Sequence, residues 1–413
     1  MRGGGVVVIG GGQAGAETVL ALRAAGYEDP VTLVCAEPEL PYRRPPLSKG
    51  FLDHSEVSDE LPVRARAVYD AQRIGLRLGA RVVSIDRPGR LVGLDDGDEL
   101  SYDWLVLATG AEPRRLPMEG AEASGVHVLR SIHDADALRG ALDKAQSVVV
   151  VGGGFIGLEV AVSARKRGAA VAVLEMAPRL MGRAVSAELS DYALGFHREM
   201  GTQIRLGDSL ASIETSGGIL CGVTTAAGTA LPADVLVVGV GVRVEDSLAA
   251  AAGLAVDDGI LVDEFLRTRD PRIFAVGDCA RFPTRFAPGS VRLESVQNAT
   301  GQALHVATAI ATGNAEAYDE VPWFWSHQGD LRIQMAGLTT GHDRTLLTGA
   351  VEAGRFSVLC FREGVLVGVD SVSDVRSHQS ARRLVGSHNP VTYAEASAAD
   401  FDLKTRALAR ESR

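Results

Sequence analysis

The sequence predicts an α/β fold in which two similar β–α–β units precede a smaller antiparallel region. Residues 6–37 and 148–175 each contain an apolar run, a glycine cluster, a stretch with helical apolar spacing and a second apolar run that ends in glutamate. The valine runs are continuous, which is typical of parallel strands buried on both faces. After Pro322 the apolar residues alternate along short segments, and this pattern predicts antiparallel strands.

The other elements follow from the same criteria. Residues 99–114, 231–242 and 272–280 each predict a strand. Residues 294–313 predict one helix, which Gly313 closes because glycine readily adopts the left-handed conformation at a helix end. The segments "LRIQMAGL", "RFSVLCF" and "VLVGVDSV" predict the antiparallel strands near the C-terminal end.

The composition is that of a globular protein and excludes several classes. The 413 residues include 42 basic and 52 acidic side chains, and the net charge of −10 argues against nucleic-acid binding, which needs a basic surface. The four cysteines lie far apart, so they form neither a redox pair nor a zinc motif, and no metal site is predicted. No apolar run is long enough for a membrane span or a signal peptide. We therefore expect a soluble cytoplasmic protein without membrane attachment.

Each β–α–β unit carries the fingerprint G-x-G-x-x-G between its first strand and its helix. The first glycine permits a tight turn, the second lets the backbone approach a pyrophosphate, and the third lets the helix pack on the strand. The pyrophosphate then lies at the helix N-terminus, where free N–H groups and the helix dipole favour an anion. The glycines are Gly10, Gly12 and Gly15 in the first unit and Gly152, Gly154 and Gly157 in the second.

An acidic residue follows each fingerprint at the spacing of a carboxylate that binds the adenosine ribose. Glu37 lies 22 residues after Gly15, and Glu175 lies 18 residues after Gly157. Two such sites in one chain indicate a bound flavin dinucleotide, FAD, and a nicotinamide dinucleotide that exchange a hydride. Because a carboxylate repels a 2′-phosphate, Glu175 favours NADH over NADPH, although Arg179 is near enough in sequence to weaken that preference.

Six longer motifs point to a family. They are "PPLSK" (45–49), "LVLATGAEPR" (105–114), "GGGFIGLEVA" (152–161), "FAVGDCARF" (274–282), "LESVQNA" (293–299) and "PWFWSHQ" (322–328). Over nearly its whole length the chain resembles the FAD-dependent NADH:ferredoxin reductases of bacterial monooxygenase and dioxygenase systems, the putidaredoxin reductase type. The resemblance implies two Rossmann-like dinucleotide-binding domains, as in glutathione reductase, and a C-terminal α+β domain.

The resemblance also implies domain boundaries and binding residues. The FAD-binding domain would comprise residues 1–112 and 246–320, the NAD-binding domain 113–245 and the C-terminal domain 321–413. The FAD contacts implied are Gly10, Gly12, Ala14, Gly15, Glu37, Arg44, Lys49, Val82, Ala108, Thr109, Gly110, Arg130, Asp278, Val296 and Trp325. The NADH contacts implied are Gly152, Gly154, Ile156, Gly157, Glu159, Glu175, Arg183 and Gly241.

Three of these residues are implied to act in catalysis. Lys49 and Glu159 would form an ion pair beside flavin N5, and Trp325 would flank the isoalloxazine on the side where electrons leave. Taken alone, Lys49 is a solvated loop cation and Glu159 an acid that interacts with a helix dipole. The prolines before Lys49 fix the loop backbone, which favours a positioned lysine.

The chain departs from the family pattern at His327, where relatives often carry aspartate, and in "GVGVRVED" (239–246), where they often have glycine–proline–asparagine.

The electrons are expected to leave for an external partner, because no cysteine occurs in the first helix or in residues 41–50, where disulfide-reducing relatives carry one. The resemblance implies that the acceptor is a [2Fe–2S] ferredoxin, which serves a P450 or a Rieske oxygenase. It therefore implies an enzyme of the EC 1.18.1 class, and the protein is expected to be a monomer or weak homodimer.

Two alternatives stay open: a reductase of another acceptor such as rubredoxin or a quinone, and a non-enzymatic flavoprotein of the apoptosis-inducing type. The second alternative predicts a basic surface or a long insertion, and the sequence shows neither.

Overall fold

A computed structural model describes residues 4–314 and 316–408 of the chain. The chain divides into two compact units. The first comprises Met1–Arg43, Asp59–Glu112 and Arg243–Glu320, and the second comprises Arg44–Ser58, Pro113–Val242 and Val321–Arg413. The domain boundaries implied by the resemblance stay a prediction.

The strands and helices within the described residues are as follows. The strands are β1 (Val6–Ile9), β2 (Val31–Cys35), β3 (Ile74–Leu78), β4 (Val82–Asp86), β5 (Leu91–Leu94), β6 (Glu99–Ser101), β7 (Trp104–Leu107), β8 (Ala111–Pro113), β9 (Val126–His127), β10 (Ser147–Val151), β11 (Ala170–Glu175), β12 (Gln203–Leu206), β13 (Leu210–Ser216), β14 (Ile219–Thr225), β15 (Ala230–Pro232), β16 (Val235–Val238), β17 (Val242–Val244), β18 (Ile260–Leu261), β19 (Ile273–Ala275), β20 (Ala280–Pro283), β21 (Ser290–Arg292), β22 (Trp323–Gln328), β23 (Leu331–Gly337), β24 (Arg344–Ala350), β25 (Arg355–Arg362) and β26 (Val365–Val372). The α-helices are α1 (Gln13–Ala24), α2 (Arg66–Ala71), α3 (Ile132–Leu142), α4 (Phe155–Lys166), α5 (Ala187–Glu199), α6 (Ser247–Ala251), α7 (Val296–Thr312), α8 (Val375–Val385), α9 (Tyr393–Ala396) and α10 (Leu403–Leu408). Of the helices in these described ranges, none has the length and apolarity needed to cross a bilayer.

The first unit is built on a five-stranded parallel sheet with the order β19-β7-β1-β2-β3. All four residues of β1 are buried, as the continuous valine run predicts. The helices α1 and α7 pack on each other, and Leu22 and Val306 belong to the same hydrophobic core as Val8. The helix predicted over 294–313 is confirmed, and Gly313 ends it with a φ of 72°. The first fingerprint therefore lies at the carboxyl end of a central strand.

The second unit contains its own five-stranded parallel sheet, with the order β12-β11-β10-β16-β9. The helix α4 packs on β10 and β11, so the second fingerprint repeats the arrangement of the first. A C-terminal antiparallel sheet has the order β22-β23-β26-β25-β24, and α8 packs against β23 and β26. The predicted antiparallel region after Pro322 is thus confirmed.

Residues 44–58 are anchored to the helices of the second unit. The Arg139 guanidinium lies 4.3 Å from the centroid of the Phe51 ring and donates to the Phe51 carbonyl at 3.4 Å. Arg167 donates to the carbonyl of Leu52. Both arginines are more than 85 residues away along the chain, so this anchoring is a tertiary feature that sequence continuity does not reveal.

A buried carboxyl group in the second unit predicts a pH dependence of stability. Asp370 on β26 is fully buried, and its Oδ2 accepts a hydrogen bond of 2.6 Å from the backbone N–H of Ser186, which precedes α5. Burial, and to a lesser degree the neighbouring Glu188, raise the pKa of Asp370 to about 6, although the Ser186 bonds and His342 act to lower it. Ionisation in the folded state is therefore unfavourable.

Replacement of Asp370 by asparagine should remove this pH dependence. Because the folded pKa lies above the unfolded value of about 3.9, the stability from the neutral carboxyl is complete below about pH 4 and is lost as the pH rises through 6. The free energy of unfolding of Asp370→Asn, relative to wild type, should rise by about 2 kcal/mol between pH 4 and pH 7. Urea unfolding at several pH values measures this difference, and a difference that is constant with pH would contradict the assignment.

Candidate active site

The glycines of the first fingerprint, Gly10, Gly12 and Gly15, leave an open space at the N-terminus of α1. We call this space the first cradle. A Cβ atom at Gly10, where φ is 117°, would collide with the carbonyl of Ala108, and a Cβ atom at Gly15 would collide with the carbonyl of Gly10. At Gly12, by contrast, a Cβ atom would meet nothing within 4 Å. Gly10 and Gly15 are therefore required by packing, whereas the absence of a side chain at Gly12 leaves room for a ligand.

This cradle suits the pyrophosphate and ribityl chain of FAD. No side chain caps the N-terminus of α1, so its first N–H groups are available to an anion. A Cβ atom at Gly277 would lie 2.9 Å from the Cβ of Ala14, which places the Gly277-Asp278 turn beside that N-terminus. Gln302 accepts a hydrogen bond from the Gly277 N–H at 2.8 Å, and its Nε2 is buried without a hydrogen-bond partner in residues 4–314 and 316–408. Val296 begins α7 on the same side.

The other predicted FAD residues of the first unit lie around the carboxyl edge of the sheet or in its core. Glu37 follows β2, and its carboxylate accepts a hydrogen bond from the hydroxyl of Tyr42. Thr109 follows β7 and donates to the backbone carbonyl of Glu245. Val82 begins β4 and is buried in the hydrophobic core. The roles of these residues toward FAD stay predictions.

The second fingerprint has the same geometry as the first. A Cβ atom at Gly152, where φ is 107°, would collide with the carbonyl of Gly239, and one at Gly157 would collide with the carbonyl of Gly152. A Cβ atom at Gly154 would again meet nothing within 4 Å, and no side chain caps α4. The second unit therefore also presents an open, uncapped helix N-terminus.

Glu175 is held at the end of β11 beside this second cradle. Its two carboxylate oxygens accept hydrogen bonds of 2.7 Å from the backbone N–H groups of Gly153 and Ala177. Arg179 donates to the carbonyl of Gly182 at 3.0 Å, so its guanidinium is engaged with the local backbone. A fixed carboxylate at this position favours a free 2′-hydroxyl over a 2′-phosphate.

The remaining predicted NADH residues are close to the second cradle or its sheet edge. Ile156 lies in the first turn of α4 and keeps 47% of its surface exposed, which is unusual for isoleucine. Gly241 has a φ of 94° and faces the guanidinium of Arg183, whose Nη2 would lie 3.9 Å from a Cβ at that position. These contacts with NADH stay predictions.

The second unit brings Lys49 and Glu159 together as an ion pair, as the resemblance implies. The Lys49 Nζ lies 2.7 Å from the Glu159 Oε2, and only 5% of Glu159 is exposed. A short 3₁₀ turn, Pro45–Ser48, sets the lysine backbone, and its last residue Ser48 donates its hydroxyl to the same oxygen. Ser326 on β22 donates to the other oxygen at 2.6 Å. The pair is thus confirmed, while its function beside a flavin stays a prediction.

Two further predicted residues of the second unit have defined neighbours. Arg44 donates to the carbonyl of Arg130 at 2.6 Å, which links the proline loop to the start of α3. Trp325 is half-buried, and the centroids of its ring and the Trp323 ring are 5.9 Å apart. Both rings are therefore partly accessible.

Three of the four cysteines are buried and therefore unsuited to disulfide chemistry. Cys35 is buried behind Gly11, and burial raises the pKa of its thiol to about 12. Burial also raises the pKa of the fully enclosed Cys279. All four cysteines are free. Since the thiolate is the reactive form, the buried Cys35 and Cys279 thiols are poor nucleophiles, whereas Cys221 on β14 is exposed.

Three polar residues behind the ion pair, Ser326, Gln328 and His197, were not predicted from the sequence. Ser326 and Gln328 alternate with Trp325 and His327 along β22, so the period-two pattern could have placed both on one face. Nothing in the sequence shows that this face is buried or that His197 approaches it.

Comparison with known proteins identifies the family. A family model described as pyridine nucleotide-disulphide oxidoreductase matches residues 4–303, and one described as reductase C-terminal matches residues 323–407. The chain belongs to the pyridine nucleotide-disulphide oxidoreductase family. Rhodocoxin reductase from Rhodococcus erythropolis is 46% identical over 98% of this chain and 94% of the relative. Putidaredoxin reductase from Pseudomonas putida is 39% identical over 94% of this chain and 92% of the relative.

Solved structures agree with these relatives. The ferredoxin reductase for the CYP199A2 system from Rhodopseudomonas palustris superposes with a TM-score of 0.94, is 42% identical and covers 97% of this chain and 99% of that one. The covalent putidaredoxin reductase–putidaredoxin complex gives 0.95 at 36% identity and covers 99% of both chains. The predicted fold, the FAD and NADH cofactors and the enzyme class, an FAD-dependent NADH:ferredoxin reductase, are therefore confirmed.

Proposed function

We propose that this reductase delivers single electrons to a small [2Fe–2S] ferredoxin that serves a P450 or a Rieske oxygenase. The observation that supports it best is the pair of open glycine cradles, one in each unit, in a chain whose Cys35 and Cys279 thiols are buried. One cradle suits a resident FAD and the other an exchanging NADH. We further propose a cytoplasmic location and a monomer or weak homodimer.

The chain's own residues prepare both nucleotides for reaction. The first N–H groups of α1 and α4 would hold the two pyrophosphates, and Asp278 would accept hydrogen bonds from the ribityl hydroxyls. Bound FAD supplies the redox chemistry, since it accepts a hydride from NADH and releases electrons singly. Lys49 and Glu159 orient the site and balance the charge that the hydride brings. Trp325 is proposed to lie where electrons leave.

Reconstitution with a ferredoxin tests this proposal. The purified protein should be yellow and should consume NADH, and it should reduce cytochrome c quickly only when a [2Fe–2S] ferredoxin is added. Equal rates of cytochrome c reduction with and without ferredoxin would refute the proposal. Coupling to a P450 or a Rieske oxygenase is then measured as substrate turnover that depends on all three proteins.

A second acceptor class has specific support. The rubredoxin-NAD(+) reductase of Pseudomonas putida is 37% identical over 89% of this chain and 95% of the relative. The same assay with rubredoxin in place of ferredoxin separates the two functions. A higher kcat/KM for rubredoxin than for any [2Fe–2S] ferredoxin tested would favour this alternative.

The fixed carboxylate of Glu175 predicts the choice of nicotinamide nucleotide. Glu175→Ala should lower the ratio of kcat/KM for NADH to that for NADPH by roughly 10-fold, because a hydrogen bond to a charged group and the repulsion of a 2′-phosphate are both lost. Arg179→Ala serves as the control, because its guanidinium is bonded to the local backbone and its removal should leave the ratio near that of wild type. An unchanged ratio in Glu175→Ala would contradict the role of the carboxylate.

A further inference from the structure

A line of buried polar side chains lies behind the Lys49–Glu159 pair within the second unit. Ser326 and Gln328 on β22 and His197 on α5 have no exposed surface. Burial of polar groups is unfavourable unless their hydrogen-bonding atoms find partners. The partners of these three side chains therefore indicate what they hold in place.

Along this line each side chain donates a hydrogen bond to the next one, and the last donor bonds Glu159. Ser326 Oγ donates to Glu159 Oε1 at 2.6 Å, and Gln328 Nε2 donates to Ser326 Oγ at 3.4 Å. His197 Nε2 lies 2.8 Å from Gln328 Oε1, and because an amide oxygen only accepts, this nitrogen carries the hydrogen. The other end of the amide agrees with this orientation, since Gln328 Nε2 also donates to Met181 Sδ.

The two oxygens of Glu159 receive different donors as a result. Oε1 accepts from Ser326, whereas Oε2 accepts from Lys49 and from the hydroxyl of Ser48. A rotation of the carboxylate would therefore break bonds on both oxygens at once. Since hydrogen bonds to charged groups are stronger than those between neutral groups, the Ser326 bond gives the carboxylate one preferred orientation.

We propose that Ser326, supported by Gln328 and His197, is a positioning residue that turns Glu159 toward Lys49 and thereby fixes the Lys49 ammonium. The effect of this positioning on catalysis rests on the proposed function, whereas the positioning itself does not. The chain offers a direct readout, because it contains only four lysines, Lys49, Lys144, Lys166 and Lys404.

Acetylation of the lysines in Ser326→Ala tests the positioning. The protein is treated briefly with N-hydroxysuccinimidyl acetate, and the rate at Lys49 is measured by peptide mass spectrometry relative to the exposed Lys144 and Lys404. With Oε1 left without its donor, the pair loosens, and the relative rate at Lys49 should rise roughly 10-fold. Gln328→Leu leaves the Ser326–Glu159 bond in place but removes the Gln328 bonds to Ser326 and His197, so it should give a smaller rise.

Two variants keep this test separate from a general loss of packing. Ser357→Ala is the matched control, since Ser357 is fully buried in the same sheet and bonds the Ser371 hydroxyl at 2.9 Å. Ser357→Ala should lower the thermal midpoint as Ser326→Ala does, yet leave Lys49 acetylation unchanged. Ser326→Cys keeps the size and a weak donor, so its rate should be intermediate.

Kinetics then connect the positioning to the reaction. In Ser326→Ala, kcat with NADH should fall roughly 10-fold while KM for NADH changes little, because Ser326 bonds the carboxylate and not the nucleotide. Unchanged Lys49 acetylation in Ser326→Ala, or an equal rise in Ser357→Ala, would overturn the proposal. Faster acetylation in a protein that consumes no NADH even as wild type would support the positioning and refute the proposed function.

Discussion

Gly12→Asp should yield a folded, colourless protein, whereas Gly154→Asp should yield a yellow protein that no longer binds NADH. Both glycines precede a helix as its N-cap residue, with extended backbone angles that an aspartate adopts easily, and a Cβ at either meets nothing within 4 Å. Aspartate is a good N-cap residue, so neither fold should suffer. Its charge repels the pyrophosphate, however, and each affinity should fall roughly 100-fold or more.

Bound flavin and NADH affinity are measured by absorbance and by calorimetry. Ala65→Asp is the matched control, because Ala65 is the exposed N-cap residue of α2 and has no predicted ligand. It should keep the wild-type FAD content and NADH affinity. Retention of FAD by Gly12→Asp, or loss of FAD by Gly154→Asp, would contradict the assignment of the two cradles.

Lys49→Met should both destabilise the protein and slow its reduction by NADH. The Glu159 carboxylate is almost fully buried, and removal of the cation 2.7 Å away leaves it uncompensated. The free energy of unfolding should fall by about 3 kcal/mol. Loss of the cation that we propose balances the transferred charge should lower the rate of flavin reduction roughly 100-fold, measured by stopped-flow absorbance per bound FAD.

The double variant Lys49→Met/Glu159→Gln separates these two effects. Without the buried charge most of the lost stability should return, but the reduction rate should stay low. Lys166→Met is the control, since the Lys166–Asp53 pair spans 4.0 Å with about half of the lysine exposed and contributes at most about 1 kcal/mol. A double variant with a wild-type reduction rate would show that the pair serves stability alone.

The sequence predicted those parts of the site that depend on neighbours along the chain. The fingerprints could be identified because the spacing of their glycines is local: the collision that requires Gly15 involves Gly10 of the same turn, although Gly10 itself meets the distant Ala108. The helix ended by Gly313 followed from the same local chemistry. For such features residue spacing determines the geometry.

Other parts of the site depend on contacts that spacing does not encode. Glu159 is 110 residues from Lys49, so the resemblance, and not periodicity, supplied that pair. Ser326, 167 residues from Glu159, carried no signal beyond its position in an alternating strand. The anchoring of residues 44–58 by Arg139 and Arg167 was equally invisible, because it depends on which helices the loop meets after folding.

An anaerobic two-step titration tests the central claim most directly. One equivalent of NADH should bleach the flavin absorbance of the yellow protein, and oxidised [2Fe–2S] ferredoxin should then restore it at two equivalents per flavin, because a hydride carries two electrons and each ferredoxin accepts one. A flavin that NADH bleaches but that ferredoxin fails to reoxidise, or that NADH does not bleach, would contradict the account.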